Sequence, residues 1–88
     1  MISKEERERL KMSLDEAHEW PCEYLFKCIV PMAELGKVME VFKEDKISKR
    51  MSKTGKYVSV SATRMALGSE EVLVVYEQLA SIPKIITL

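Results

Sequence analysis

From Tyr57 to Met65 the chain alternates with period two. Val58, Val60 and Ala62 fall on one side; Tyr57, Ser59, Ser61 and Thr63 fall on the other. Successive strand side chains point to opposite faces, so the pattern predicts a half-buried antiparallel strand. A strand of this kind must lie in a sheet whose apolar side is buried against another layer. Every other element has to fit that requirement.

Glu23 to Val30 reads as a second strand. Tyr24, Phe26, Cys28 and Val30 share one face, and Leu25, Lys27 and Ile29 share the other. A strand apolar on nearly both faces belongs in the middle of its sheet. Pro31 opens a helix in which Leu35, Val38, Met39 and Phe42 repeat at i, i+3, i+4 and i+7. Gly36 inside that helix costs roughly 1 kcal/mol against Ala, and would allow close approach to the sheet. Ile47 to Met51 is a short, lysine-studded strand suited to an edge. Lys53-Thr54-Gly55-Lys56 forms a turn, with Gly55 free to take positive φ. Ser69 is placed as the cap of a further helix with Glu70 and Glu71 in its first turn. Val72, Val75, Tyr76 and Leu79 form its core stripe. Pro83 marks the exit, and Lys84 to Leu88 makes a last short strand.

After residue 21 the order is strand, helix, strand, strand, helix, strand. That is the α+β ferredoxin-like βαββαβ sandwich. Right-handed crossovers predict an antiparallel four-stranded sheet ordered 4-1-3-2 with both helices on one face.

Residues 1–20 stand apart as a charged N-terminal helical extension to the domain at 21–88. Ser3-Lys4-Glu5-Glu6 fits a capping box. A helix from about Lys4 to Glu16 follows, with a thin stripe of Leu10, Leu14 and Ala17. Trp20-Pro21 ends it, because the residue before proline is pushed out of the helical region. The segment lacks the apolar stretch of a signal peptide, and no run approaches the roughly 18–20 apolar residues of a membrane span. The expected location is cytoplasmic, with no membrane partner. Hydrophobic residues are 47% of the 88, too many for a wholly disordered chain.

Fourteen basic residues balance fourteen acidic ones, but unevenly along the chain. Residues 1–20 carry four basic and six acidic side chains; residues 43–64 carry seven basic and two acidic. Lys46, Lys49, Arg50, Lys53 and Lys56 follow one another with no acid between them. Such a patch suits a phosphate or an acidic partner, and lysines also guard an exposed strand edge.

Face assignment defines the candidate interaction surface. Val58, Val60 and Ala62 must face the helices, and Lys27 is costly to bury unpaired. Leu25, Lys27, Ile29, Tyr57 and Ser59 are then left on the open face, with Ser61 and Thr63. Two aliphatics and a tyrosine around a lysine make a mixed surface, either mostly solvated or covered by the N-terminal helix, a second copy of the chain or a partner.

Catalytic signatures are lacking. Cys22 and Cys28 on one strand stand roughly 20 Å apart, beyond the reach of a disulfide. His18 is the single histidine and has no matching ligand set for a metal. Gly36, Gly55 and Gly68 stand alone and form no phosphate-binding loop. No enzymatic role and no cofactor are expected.

Three stretches resemble a known family: Pro21-Cys22-Glu23-Tyr24-Leu25-Phe26-Lys27, Ser52-Lys53-Thr54-Gly55-Lys56-Tyr57-Val58-Ser59-Val60, and Tyr76-Glu77-Gln78-Leu79. They are similar to the YbeD-like family of small uncharacterised bacterial proteins, over about residues 20 to 88. The resemblance implies a ferredoxin-like fold similar to ACT-type regulatory domains, which often bind small ligands at dimer interfaces. It implies no reaction and carries over no catalytic residue.

The expected function is a small non-enzymatic regulatory or interaction module. It would use the open face and the basic hairpin of Lys49, Arg50, Lys53 and Lys56, toward a protein partner or a second copy. The alternative is binding of RNA or a phosphate ligand through Lys46–Lys56. An RNA-recognition sheet wants aromatics on the open face, and here Tyr57 is followed by serines.

Overall fold

The computed structural model describes residues 3–88. Its elements are α1 (Lys4–Ala17), β1 (Cys22–Pro31), a 3-10 turn (Met32–Glu34), α2 (Leu35–Val41), β2 (Lys46–Met51), β3 (Tyr57–Ala66), α3 (Ser69–Ala80) and β4 (Ile86–Thr87). The sheet order is β2-β3-β1-β4 and every neighbouring pair is antiparallel. Read from the other edge this is 4-1-3-2, so the ferredoxin-like α+β arrangement is the one found.

β1 pairs with β3 along its whole length, from Cys22 opposite Ala66 to Pro31 opposite Tyr57. The alternation settles which face is buried. Phe26, Cys28, Val30, Val58, Val60, Ala62 and Ala66 pack with Val38 and Phe42 from the α2 segment and Val72, Val75 and Leu79 from α3. Phe26 is the hub. Its ring centroid lies 4.8 Å from Tyr24, 5.6 Å from Phe42 and 5.5 Å from Tyr76. Burial without an acceptor pushes the Cys28 thiol up from its ordinary pKa.

Four local expectations are corrected. Pro31 does not open a helix; it is extended and closes β1, and α2 begins only at Leu35. The Met32 N–H donates to Lys56 O at 2.9 Å, which ties the chain to the β2–β3 loop before α2 can start. Gly36 does not admit the sheet: no atom lies within 4 Å of where a Cβ would stand. Gly36→Ala should therefore raise stability by about 0.5–1 kcal/mol. A urea titration should move to a higher midpoint with unchanged slope; a lower midpoint would mean a contact the free space does not show.

Ser69 is not the cap of α3. The extended Gly68 holds that position, and Ser69 is buried where its hydroxyl helps hold the Asp15 carboxyl of α1 below its ordinary range. Glu71 reaches back past the helix start and accepts the Leu67 N–H at 2.8 Å, which ties the preceding loop to α3. The last strand is shorter than expected. Lys84 takes a left-handed φ of 59°, which leaves Ile86 and Thr87 as the paired residues.

α1 lies along the outside of α3, with no residue fully buried. Ser3 Oγ accepts the Glu6 N–H at 3.1 Å; Glu6 bonds to the Ser3 hydroxyl in return. Arg7 is held between Glu70 at 2.6 Å and Glu77 at 3.0 Å. Hydrogen bonds from Ser69, the Trp20 indole and Lys11 keep the Asp15 carboxyl below its ordinary range. α1 thus thickens the helical layer and leaves the opposite side of the sheet uncovered.

Candidate functional site

The register arranges the open face as transverse rows. One row runs Lys46, Thr63, Leu25; the next runs Ser48, Ser61, Lys27; the third runs Arg50, Ser59, Ile29, Ile86. Directly opposed residues share a face, so these side chains stand on one surface. Tyr57 follows beside Pro31, and Met65 lies beside Glu23 at the far end. Leu25 is 50% exposed and Ile86 54%, large values for aliphatics on a central strand and its neighbour. The five residues assigned to this face from the sequence, Leu25, Lys27, Ile29, Tyr57 and Ser59, are together on it.

The basic hairpin divides. Arg50 and Lys46 belong to the open face, while Lys49 is opposite Val60 and stands on the helical side. Lys53 and Lys56 occupy the turn, where Gly55 has φ 73°. The Gly55 N–H donates to Ser52 O at 3.0 Å, and the Tyr57 N–H donates to Ser52 Oγ at 3.2 Å. This bonding gives Ser52 a structural task. A shallow depression of about 380 Å³ joins the hairpin to the face, bordered by Ile29, Arg50, Lys53, Tyr57 and Ser59 among others.

Electrostatics sets this surface apart. Among the described residues, Lys27, Lys46 and Arg50 on the face and Lys53 and Lys56 in the turn enter no ion pair. Glu23 is the single carboxylate on the four strands. A larger depression of about 760 Å³ lies between α2 and α3, but its cations are engaged. Lys37 is 2.8 Å from Glu34, Lys43 is 3.4 Å from Glu40, and Arg64 is 2.7 Å from Asp45.

Arg64 was missed by the sequence reading. It lies on the helical side of β3, donates from Nε and Nη2 to the Asp45 carboxylate, and sits 6.0 Å from the Phe26 ring centroid. Hydrogen bonding to Asp45 raises its pKa despite the opposing effect of burial. The available signal was parity: position 64 continues the series 58, 60, 62, so a charge there needs a partner. Ile86 was also missed as a member of the open face, because β4 acquires its register only from Ile29.

Cys22 Sγ approaches His18 Nδ1 to 3.9 Å, inside a cluster with Trp20 and Tyr24. Among the described residues no side chain is hydrogen-bonded to the other ring nitrogen of His18. Burial, then the 3.3 Å contact with the Tyr24 hydroxyl, pushes the Tyr76 phenol above its ordinary range, so it stays protonated at neutral pH. Among the described residues no three His, Cys, Asp or Glu side chains gather as a metal site. Among the described residues no helix is long and apolar enough to cross a membrane.

No curated protein and no solved structure matches the chain. A family model does match, over residues 15–88, from the end of α1 through every strand to Leu88. Its description is "Protein of unknown function (DUF493)", and the chain belongs to that family.

Proposed function

We propose that the protein is a small non-enzymatic interaction or regulatory module, acting in the cytoplasm through its open sheet face and the adjoining hairpin. One observation carries the reading: the register sets Leu25, Ile29 and Ile86 beside Lys27, Lys46 and Arg50 on a surface that none of the three helices covers. Exposed Leu25 and Ile86 with half-buried Ile29, flanked by unpaired cations, give what a binding surface needs, apolar area with charge beside it. We also read the family as the YbeD-like bacterial one, with ACT-type regulatory domains as its fold analogue; that analogy supports a regulatory role without naming a ligand. A second reading, RNA or a phosphate ligand, draws support from Arg50 and Lys53 beside the Ser59 hydroxyl at the depression.

A quantitative pull-down from native cytosol, with and without nuclease, tests the choice. The baits are the protein, its Leu25→Lys variant and its Lys53→Glu/Lys56→Glu variant. The expected result is a defined protein partner retained after nuclease and lost with Leu25→Lys. Capture indifferent to Leu25→Lys would remove the sheet face. Enrichment that vanishes with nuclease would select the nucleic-acid reading.

A further inference from the structure

We infer that the open sheet face receives an acidic, amphipathic helical segment of a partner protein. This rests on the reading above, which supplies the surface; the inference supplies the chemistry of its occupant.

The face has two lanes. Lys46 and Arg50 stand four residues apart on β2, and Leu25 and Ile29 stand four residues apart on β1 in the same rows, with Lys27 between them as a third cation. Four residues of strand span about 13 Å, and two turns of α-helix span about 11 Å. β2 and β1 are separated by β3 alone, so the lanes lie about 10 Å apart, close to the diameter of a helix. A helix along the strands would set acidic side chains two turns apart against Lys46 and Arg50. Its neighbouring apolar flank would rest on Leu25, Ile29 and Ile86. Ser59, Ser61 and Thr63 form the floor between the lanes, short enough to admit it.

Charge decides between occupants. Lys27, Lys46 and Arg50 have no ion-pair partner among the described residues, in a chain of zero net charge. A second copy packed face to face by a two-fold would bring together two surfaces of like charge, each with Lys27, Lys46 and Arg50 against the single Glu23. A head-to-tail copy, α1 on the sheet, would build a ring or a filament, and α1 mixes four basic side chains with its five acidic ones. Nucleic acid would satisfy the cations, but Tyr57 is the one aromatic available for stacking, and Leu25, Ile29 and Ile86 would gain little. An acidic segment with an aliphatic flank satisfies both lanes.

The probes are a helical peptide of about 18 residues with a Glu stripe beside a Leu stripe, its same-composition scramble, the Lys-for-Glu version, and a single-stranded RNA. Each is titrated into isotope-labelled protein and followed by NMR. The Glu-Leu peptide should shift Leu25, Lys27, Ile29, Arg50 and Ile86, and bind at least about tenfold tighter than the scramble. High salt should weaken it. Lys27→Glu/Arg50→Glu, at exposed positions, should keep the native spectrum and reverse the preference toward the Lys-Leu peptide. Equal affinity for patterned and scrambled peptides, shifts confined to another surface, or tighter binding of RNA at the same residues would each overturn the inference. The two ideas fail separately. Loss of a cytosolic partner on Leu25→Lys without preference for the acidic peptide would discard the acidic segment and keep the surface. Insensitivity of the pull-down to Leu25→Lys would discard the surface itself.

Discussion

Phe26→Ala will remove about 3–5 kcal/mol of stability, the largest loss expected from any single truncation in this chain. Phe26 is 1% exposed and touches aromatic rings from three directions. Removing the ring forfeits its burial and opens a cavity beneath both α2 and α3 that rigid strands cannot collapse to fill. A domain of this length has a total of about 4–13 kcal/mol. The variant is therefore expected to be largely unfolded at moderate temperature, by circular dichroism and by Trp20 fluorescence in urea. Phe26→Leu, which keeps most of the volume, should lose far less. A loss under about 1 kcal/mol for Phe26→Ala would show that the core closes around the gap.

Asp45→Ala is the second large effect, expected at about 2–3 kcal/mol. The Asp45 side chain is 8% exposed and accepts three close contacts from Arg64, which is 23% exposed. Truncating the acid strands a guanidinium over the Phe26 ring. The loss falls short of the 3–5 kcal/mol of a fully enclosed pair because Glu71 remains 3.8 Å from Arg64 and some water reaches it. Arg64→Met in the Asp45→Ala background should restore part of the loss, since no buried charge is then left unpaired. Strictly additive losses in this cycle would mean the two side chains do not stabilise each other.

The legible part of the fold was the part governed by period. Val58, Val60 and Ala62 against Tyr57, Ser59 and Ser61 were enough to orient β3, and Lys27 was enough to orient β1. Those two assignments located Leu25, Ile29, Tyr57 and Ser59 on one surface. Element ends were not legible, because they depend on partners distant in sequence. Ser69 looked like a cap until α1 brought Asp15 to its side chain, and Pro31 looked like a helix start until Met32 found Lys56. The basic hairpin was legible as a charge cluster but not as a geometry. Lys49 and Arg50 are adjacent, yet pairing with Val60 and Ser59 sends them to opposite faces.

The full-length pairing of β1 with β3 bears on how the chain emerges during synthesis. Cys22 meets Ala66 across an interval of 44 residues, and even the tightest end of the ladder joins Pro31 to Tyr57. Contacts of such range form slowly, since a long loop must close before any ladder bond rewards it. A strand apolar on almost both faces is therefore exposed on the ribosome until β3 has been translated. Neither β2 nor β4 shelters it meanwhile: β2 touches only β3, and β4 comes last. The sticky interval is set by translation speed, about 5–20 residues per second, which leaves β1 unpaired for a few seconds. Chaperone demand for this protein should concentrate in that window, before the second half of the sheet exists.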